Sequence, residues 1–248
     1  MIYENERIDI VNDSISLIQK PDGLTFGTDA LLLAGYIHGN FKKGAELGGG
    51  SGIISMLAVT RGKIESCQAI EVQEEYADLI SRNAELNSLR DKLSAYCSDI
   101  RLLPVSEDCD VVFTNPPYMK ADGGRLNKTD AKTIARHEIH GDITDFAVAG
   151  KKLLKYGGAF YAVYRPDRLT DIIYALRENG LEPKRVTFVH ADKDSESSMV
   201  LIEAKRGGKS GMHLTKPLII YSDNAHEKYG ADMEYIMEFG RFPPEYKR

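Results

Sequence analysis

Two strand-like runs near the end of the chain, residues 185–189 and 198–204, are joined only by a short link built around Asp192-Lys193-Asp194-Ser195-Glu196. A parallel pair needs a crossover of a dozen or more residues, so these runs must form an antiparallel hairpin. The block before them reads differently. From residue 44 onward, strand-like and helix-like segments alternate. The strands fall at 45–47, 68–72, 93–96, 110–114 and 159–164, and helical patterns at 51–61, after 73, near 142–155 and after Pro166. Tyr76, Ile80 and Ala84 recur every fourth residue in the second helix, as one buried helical face requires. Asp110-Val111-Val112-Phe113-Thr114 is nearly all apolar, like a central parallel strand. The chain is therefore an α/β fold whose parallel sheet ends in a hairpin, where a dinucleotide dehydrogenase would continue with further crossovers. Ahead of it, residues 15–18 read as a strand, and Thr28 or Asp29 is placed to cap a helix through Ala30-Leu31-Leu32-Leu33. The expected division is an extension over 1–43 packing on the core, a main domain over 44–221, and a polar tail over 222–248.

The first strand runs into Glu46-Leu47-Gly48-Gly49-Gly50-Ser51-Gly52. Glycines between a strand and a helix let the backbone approach a ligand, and the helix start adds N–H donors. A dinucleotide fingerprint counted from Gly48 needs Gly or Ala at position 53, where Ile53 stands. An acid followed by x-G-x-G-x-G instead suits S-adenosylmethionine, with Gly48, Gly50 and Gly52 lining it and Glu46 near its ammonium. Glu71, at the second strand's end, is placed to accept from two ribose hydroxyls. Asp99, after the third, is placed to accept from an adenine amino group. Any one of these acids alone would pass for a helix cap.

Asn115-Pro116-Pro117-Tyr118 follows the fourth strand directly. An exocyclic amine on an aromatic ring is a poor nucleophile, because its lone pair is delocalised into the ring. Two acceptors taking its two N–H bonds favour a pyramidal nitrogen whose lone pair faces the methyl group. The Asn115 side-chain oxygen and the Pro116 carbonyl suit those roles, the prolines stiffen the loop, and Tyr118 offers a face for stacking a base.

Composition narrows the remaining classes. The 248 residues are 42% hydrophobic and 28% charged, enough to bury a core without disulfides or metals. Cys67, Cys97 and Cys109 make no close pair and no zinc spacing, and read as core residues with no metal expected. No apolar run suits a bilayer and no leader is evident at the N-terminus, so a cytoplasmic monomer is the expectation. The net charge of −5 means that any nucleic-acid surface is local. Residues 119–137 carry Lys120, Arg125, Lys128, Lys132 and Arg136 against two aspartates, and 203–217 carry Lys205, Arg206, Lys209 and Lys216 against Glu203. Both stretches read either as solvated loops or as phosphate contacts. The first begins beside Tyr118, so Lys120, Arg125, Lys128 and Arg136 are the leading RNA-binding candidates, with Lys205, Arg206 and Lys209 second.

From Gln19 to Tyr221 the sequence resembles the bacterial tRNA1(Val) (adenine(37)-N6)-methyltransferase family. The resemblance rests on Pro21-Asp22-Gly23, Phe26-Gly27-Thr28-Asp29-Ala30, the loop from Glu46 to Gly52, Glu71-Val72-Gln73, and Asn83 with Asn87. It continues through Asn115-Pro116-Pro117-Tyr118, Ala135-Arg136-His137-Glu138, Arg165-Pro166 and Lys216-Pro217-Leu218. It implies a class I methyltransferase sheet of seven strands, S-adenosylmethionine as cofactor, tRNA as substrate, Thr28 and Asp29 near the cofactor's methionine end, and Asn115 to Tyr118 around the base, with Asn115 also beside the cofactor. Relatives often carry Asp where Glu46 stands. His137 reads as a structural or RNA contact, and Tyr164 and Arg165 border the substrate side or simply pack. Three alternatives stay open. They are a protein-glutamine N5-methyltransferase, which would carry a helical domain ahead of the glycine loop, an rRNA guanine-N2 methyltransferase, and a non-catalytic cofactor-binding protein associated with RNA.

Overall fold

The computed structural model describes residues 2–20, 26–116 and 141–247. A two-stranded ribbon, β1 (Arg7–Asn12) and β2 (Ile15–Gln19), precedes α1 (Thr28–Tyr36). Then β3 (Phe41–Leu47), α2 (Ile53–Thr60), β4 (Ile64–Glu71), α3 (Glu74–Leu86) and β5 (Leu93–Cys97) form the first half of the alternating block. The second half is β6 (Cys109–Thr114), α4 (Ile143–Leu153), β7 (Leu154–Tyr164) and α5 (Leu169–Glu178), followed by the hairpin β8 (Leu181–His190) and β9 (Ser197–Arg206).

The sheet order is β5-β4-β3-β6-β7-β9-β8, with β9 antiparallel to both neighbours. The hairpin thus closes the sheet as its short link demands. Two further strands, β10 (His213–Leu214) and β11 (Leu218–Ile219), pair in parallel with β8, so that among the described residues the sheet has nine strands where seven are expected. Each spans two residues on either side of Lys216-Pro217, too short for an alternating pattern to show.

Side chains alternate across the sheet. Val111, Phe113, Tyr161 and Val163 face α1 and α2, whereas Val112, Phe160 and Ala162 face α4 and α5. Tyr76, Ile80 and Ala84 of α3 are all buried, as their spacing predicts. Two details differ from expectation. Gly27, rather than Thr28 or Asp29, is the N-cap of α1, and no side chain caps it. The segment expected as a polar tail carries α6 (Ala231–Phe239) and buries Ile236, Phe242 and Tyr246 in the α1 face. Arg185, 3% exposed, ties that segment down by donating to the Tyr246 carbonyl (2.9 Å) and the Tyr36 carbonyl (3.0 Å) while pairing with Glu203 (2.9 Å). At the far end of α1, the Lys63 ammonium donates to the Ala34, Gly35 and Ile37 carbonyls, a cation where a helix exposes its acceptors.

Candidate active site

Strand order reverses between β3 and β6, and in open α/β sheets ligands bind outside the carboxyl ends at such a point. Leu47 ends β3 level with Ile70 on one side and Thr114 on the other, and the Thr114 hydroxyl donates to the Leu47 carbonyl at 2.8 Å. The glycine loop and Asn115 therefore leave adjacent strands side by side, about 5 Å apart.

Gly48, Gly50 and Gly52 have φ of +71°, +54° and +81°, values that glycine adopts at no steric cost. Between them Gly49 sits in tight space, since a β-carbon there would lie 2.9 Å from Ile80 Cδ1 and 3.2 Å from Ala69 Cβ. The Gly48 and Gly49 amides donate to the Ile70 carbonyl at 2.9 and 3.0 Å, folding the loop over the end of β4. α3 supports it from below. Asn83, fully buried, donates to the Ser51 carbonyl (3.0 Å) while its amide exchanges hydrogen bonds with the Ile18 N–H and carbonyl of β2. One turn on, Asn87 does the same with Ser16. Two asparagine amides thus imitate a neighbouring strand and bind the N-terminal ribbon to the cofactor loop. Asn83 and Asn87 entered the sequence reading only as points of resemblance. Their four-residue spacing placed them on one helix face, but nothing in it named β2 as the partner.

The three strand-end acids differ in what they do. Glu71 Oε2 accepts from Gly50 N and Oε1 from Gln73 N, both at 3.0 Å. A carboxylate offers about four acceptor positions, so room remains for two ribose hydroxyls. Asp99 is gripped by the Arg101 guanidinium, with both oxygens 2.9 Å from Nε, which holds its carboxyl below the usual range. Glu46 is 1% exposed, and its Oε2 accepts from Ser55 N at 3.0 Å and from the Ser55 hydroxyl. Burial, with the charge of Glu71 adding to it, pushes its carboxyl up to about 8 against the opposing pull of Ser55. That Oε2 oxygen is thus bonded to the first turn of α2.

Asn115 carries the sharpest observation. Its Nδ2 donates to Asp29 Oδ2 at 2.8 Å across the site. Its Oδ1 is buried and has no hydrogen-bond partner among the described residues. A buried unpaired carbonyl oxygen costs roughly 1–3 kcal/mol, and such an atom in a folded chain calls for an explanation. An acceptor held for an incoming N–H supplies one. Pro116 is buried beside it, whereas Pro117 and Tyr118 lie outside the described residues. Thr28, exposed, opens α1 next to Asp29. The loop, Glu71 and the Asn115 oxygen fit S-adenosylmethionine and an amine acceptor.

Lys120, Arg125, Lys128, Arg136 and His137 also fall outside the described residues. Topology places the second basic cluster. Because β9 runs antiparallel, its last residues Lys205 and Arg206 reach the edge opposite Asn115, beside Ala159 and Leu181. Arg206 pairs there with Glu107 at 2.5 Å, and Lys209 follows, its carbonyl accepting from Lys184 at 2.8 Å. Tyr164 packs half-buried against the α4/α5 core, and Arg165 pairs with Asp167 at 2.6 Å. Among the described residues no His, Cys, Asp or Glu cluster suits a metal, and no helix is long and apolar enough to cross a membrane.

The fold is similar to that of solved methyltransferases. A predicted O-methyltransferase from Agrobacterium tumefaciens superposes with a TM-score of 0.70 at 20% identity, covering 87% of this chain and 98% of that one. TYW2 from M. jannaschii, solved in complex with AdoMet, gives 0.56 at 15% identity over 82% of this chain and 88% of its own. The fold and site define a class I methyltransferase, an enzyme dependent on S-adenosyl-L-methionine. Within that class the chain belongs to the methyltransferase small domain family, which matches residues 21–167. It is similar to curated enzymes named tRNA1(Val) (adenine(37)-N6)-methyltransferase. The one from Dyadobacter fermentans is 24% identical, covering 71% of this chain and 73% of the relative. The one from Phocaeicola vulgatus is 26% identical, covering 72% and 76%.

Proposed function

We propose that this enzyme methylates the exocyclic N6 amine of an adenine in tRNA, at position 37 of the anticodon loop. The observation that carries the reading is the buried Oδ1 of Asn115 beside the glycine loop, unpaired among the described residues. It is an acceptor suited to one N–H of a planar amine, and the adjoining Pro116 carbonyl is the candidate for the other. The names of the curated relatives supply the choice of adenine and of tRNA. S-adenosylmethionine supplies an electrophilic methyl group on a sulfonium sulfur. As the nitrogen bonds to that carbon the sulfur–carbon bond breaks, and the extra proton on nitrogen then passes to water, so no side chain is needed as a base. The lysines and arginines of 119–137 would engage tRNA phosphates, and a tRNA substrate would place the enzyme in the cytoplasm.

Incubating the protein with total bacterial tRNA and methyl-labelled cofactor, then digesting to nucleosides, tests the reading. Label in N6-methyladenosine is the expected result. Label in N2-methylguanosine, transfer only to a protein glutamine, or cofactor binding without transfer to any acceptor would overturn it in favour of one of the three alternatives.

A further inference from the structure

We propose that Asp29 is a positioning residue for methyl transfer, whose carboxylate orients the Asn115 amide so that its oxygen faces the acceptor amine. The inference rests on the reading that Asn115 Oδ1 receives that amine. An asparagine side chain presents an oxygen and an NH2 of nearly equal size, and a half-turn exchanges them. In one orientation the site offers an acceptor to the amine. In the other it offers N–H groups, which repel the substrate's own N–H bonds. Asp29 decides between them. With Nδ2 donating to Oδ2 at 2.8 Å, Asn115 makes a charge-assisted bond. Turning the amide over would set its oxygen against a carboxylate.

Asp29 is itself held. Its Oδ1 accepts from Ala30 N at 2.9 Å. Gly27 leaves the space that this carboxylate fills, since a β-carbon there would lie 2.8 Å from Oδ1. The helix behind it is seated by the fully buried Leu32 and Leu33 and, at its far end, by Lys63. Orientation therefore passes from the core through α1 to Asp29 and on to Asn115. Asp29 acts through Asn115, without touching the reacting atoms.

A double-mutant cycle tests this, with tRNA methylation measured at saturating cofactor and cofactor binding followed by calorimetry. Asp29→Ala should lower kcat about ten- to a hundredfold, while the cofactor Kd moves less than about threefold. The same change in an Asn115→Ala background should cost less than about a further twofold, because the group that Asp29 orients is gone. Asp29→Asn, which keeps the shape and a neutral acceptor oxygen, should recover part of the loss. Full additivity in the double variant overturns the proposal. So does a rise in Kd matching the loss of activity, which would make Asp29 a cofactor contact. An inactive wild type would refute the substrate reading instead, and the orientation is then read without substrate. The Asn115 Nδ2 proton resonance, assigned by its loss in Asn115→Ala, should be shifted downfield and slow to exchange, and should move in Asp29→Ala. A resonance indifferent to Asp29 refutes the proposal.

Discussion

On the β4–β5 side of the strand reversal, each carboxylate expected to meet the cofactor is already engaged by its own chain. Glu46 is held by Ser55, Glu71 by Gly50 and Gln73, and Asp99 by Arg101. On the β6 side, Asn115 has its donor engaged by Asp29 and its acceptor oxygen buried without a partner among the described residues. The cofactor half is thus a self-satisfied framework that shares hydrogen bonds with a ligand. The acceptor half bears the cost of an unpaired atom in advance, which is how a group kept for a transition state looks before substrate arrives. Damage to the two halves should therefore appear in different measurements.

The largest effect is expected from Asn115→Ala. Turnover on tRNA should fall about a hundredfold or more, since the lost acceptor matters most as charge develops on nitrogen. Cofactor affinity by calorimetry should stay near the wild-type value. A variant with normal turnover, or one that fails only in binding cofactor, would erase the distinction between the halves.

Glu71→Ala should do the reverse. Two hydrogen bonds to a charged group are lost and Gly50 N is left unpaired, so S-adenosylmethionine binding should weaken by roughly 1–3 kcal/mol. Once cofactor is raised to saturation, turnover should recover to within a few-fold. The same titration on Asp99→Asn sharpens the point. Its carboxylate is already gripped by Arg101, so the loss should be the smaller of the two. Equal losses would mean that Arg101 releases Asp99 when ligand binds.

Much of this arrangement was legible in the sequence because it is local. A link too short for a crossover dictated the β8–β9 hairpin. Glycines at alternate positions marked the loop, and Asn115 was found as the head of the Asn-Pro-Pro-Tyr run that directly follows an apolar strand. Contacts between distant segments were not legible. Asp29 and Asn115 meet across 86 residues, and no periodicity encodes which strand-end amide a helix-start carboxylate will reach. Asn83 borrows the pairing role of a strand, whereas its spacing shows only that it lies on one face of a helix. Glu46 was recognisable as an acid ending a strand, but that Ser55, in the next helix, bonds its Oε2 was not. The tail escaped because Met233, Ile236, Phe242 and Tyr246 sit among charged residues without a regular period. The placement of Lys205 and Arg206 is a different case. An antiparallel β9 already implied that its end lies away from the catalytic edge, so the signal was present in the hairpin itself.

Glu46 gives the finest test of the cofactor half, because its protonation should be visible without any ligand. An unfolded glutamate titrates near 4.5, whereas burial pushes Glu46 in the folded chain up to about 8. Below the lower value both states hold the proton and the group contributes no pH dependence. Between the two values the unfolded chain releases a proton that the folded chain keeps, so stability falls as pH rises, and it levels off above about 8. Glu46→Gln keeps an oxygen for Ser55 and removes the titration. Melting temperatures of the cofactor-free proteins should therefore diverge in favour of the variant from about pH 5 to pH 8, and run parallel beyond. Comparing the two proteins at each pH cancels the titration of groups they share. A gap that stays constant across this range would mean that Glu46 is ionised in the folded chain throughout. Its burial would then be compensated, and the acid would be available to an ammonium ion.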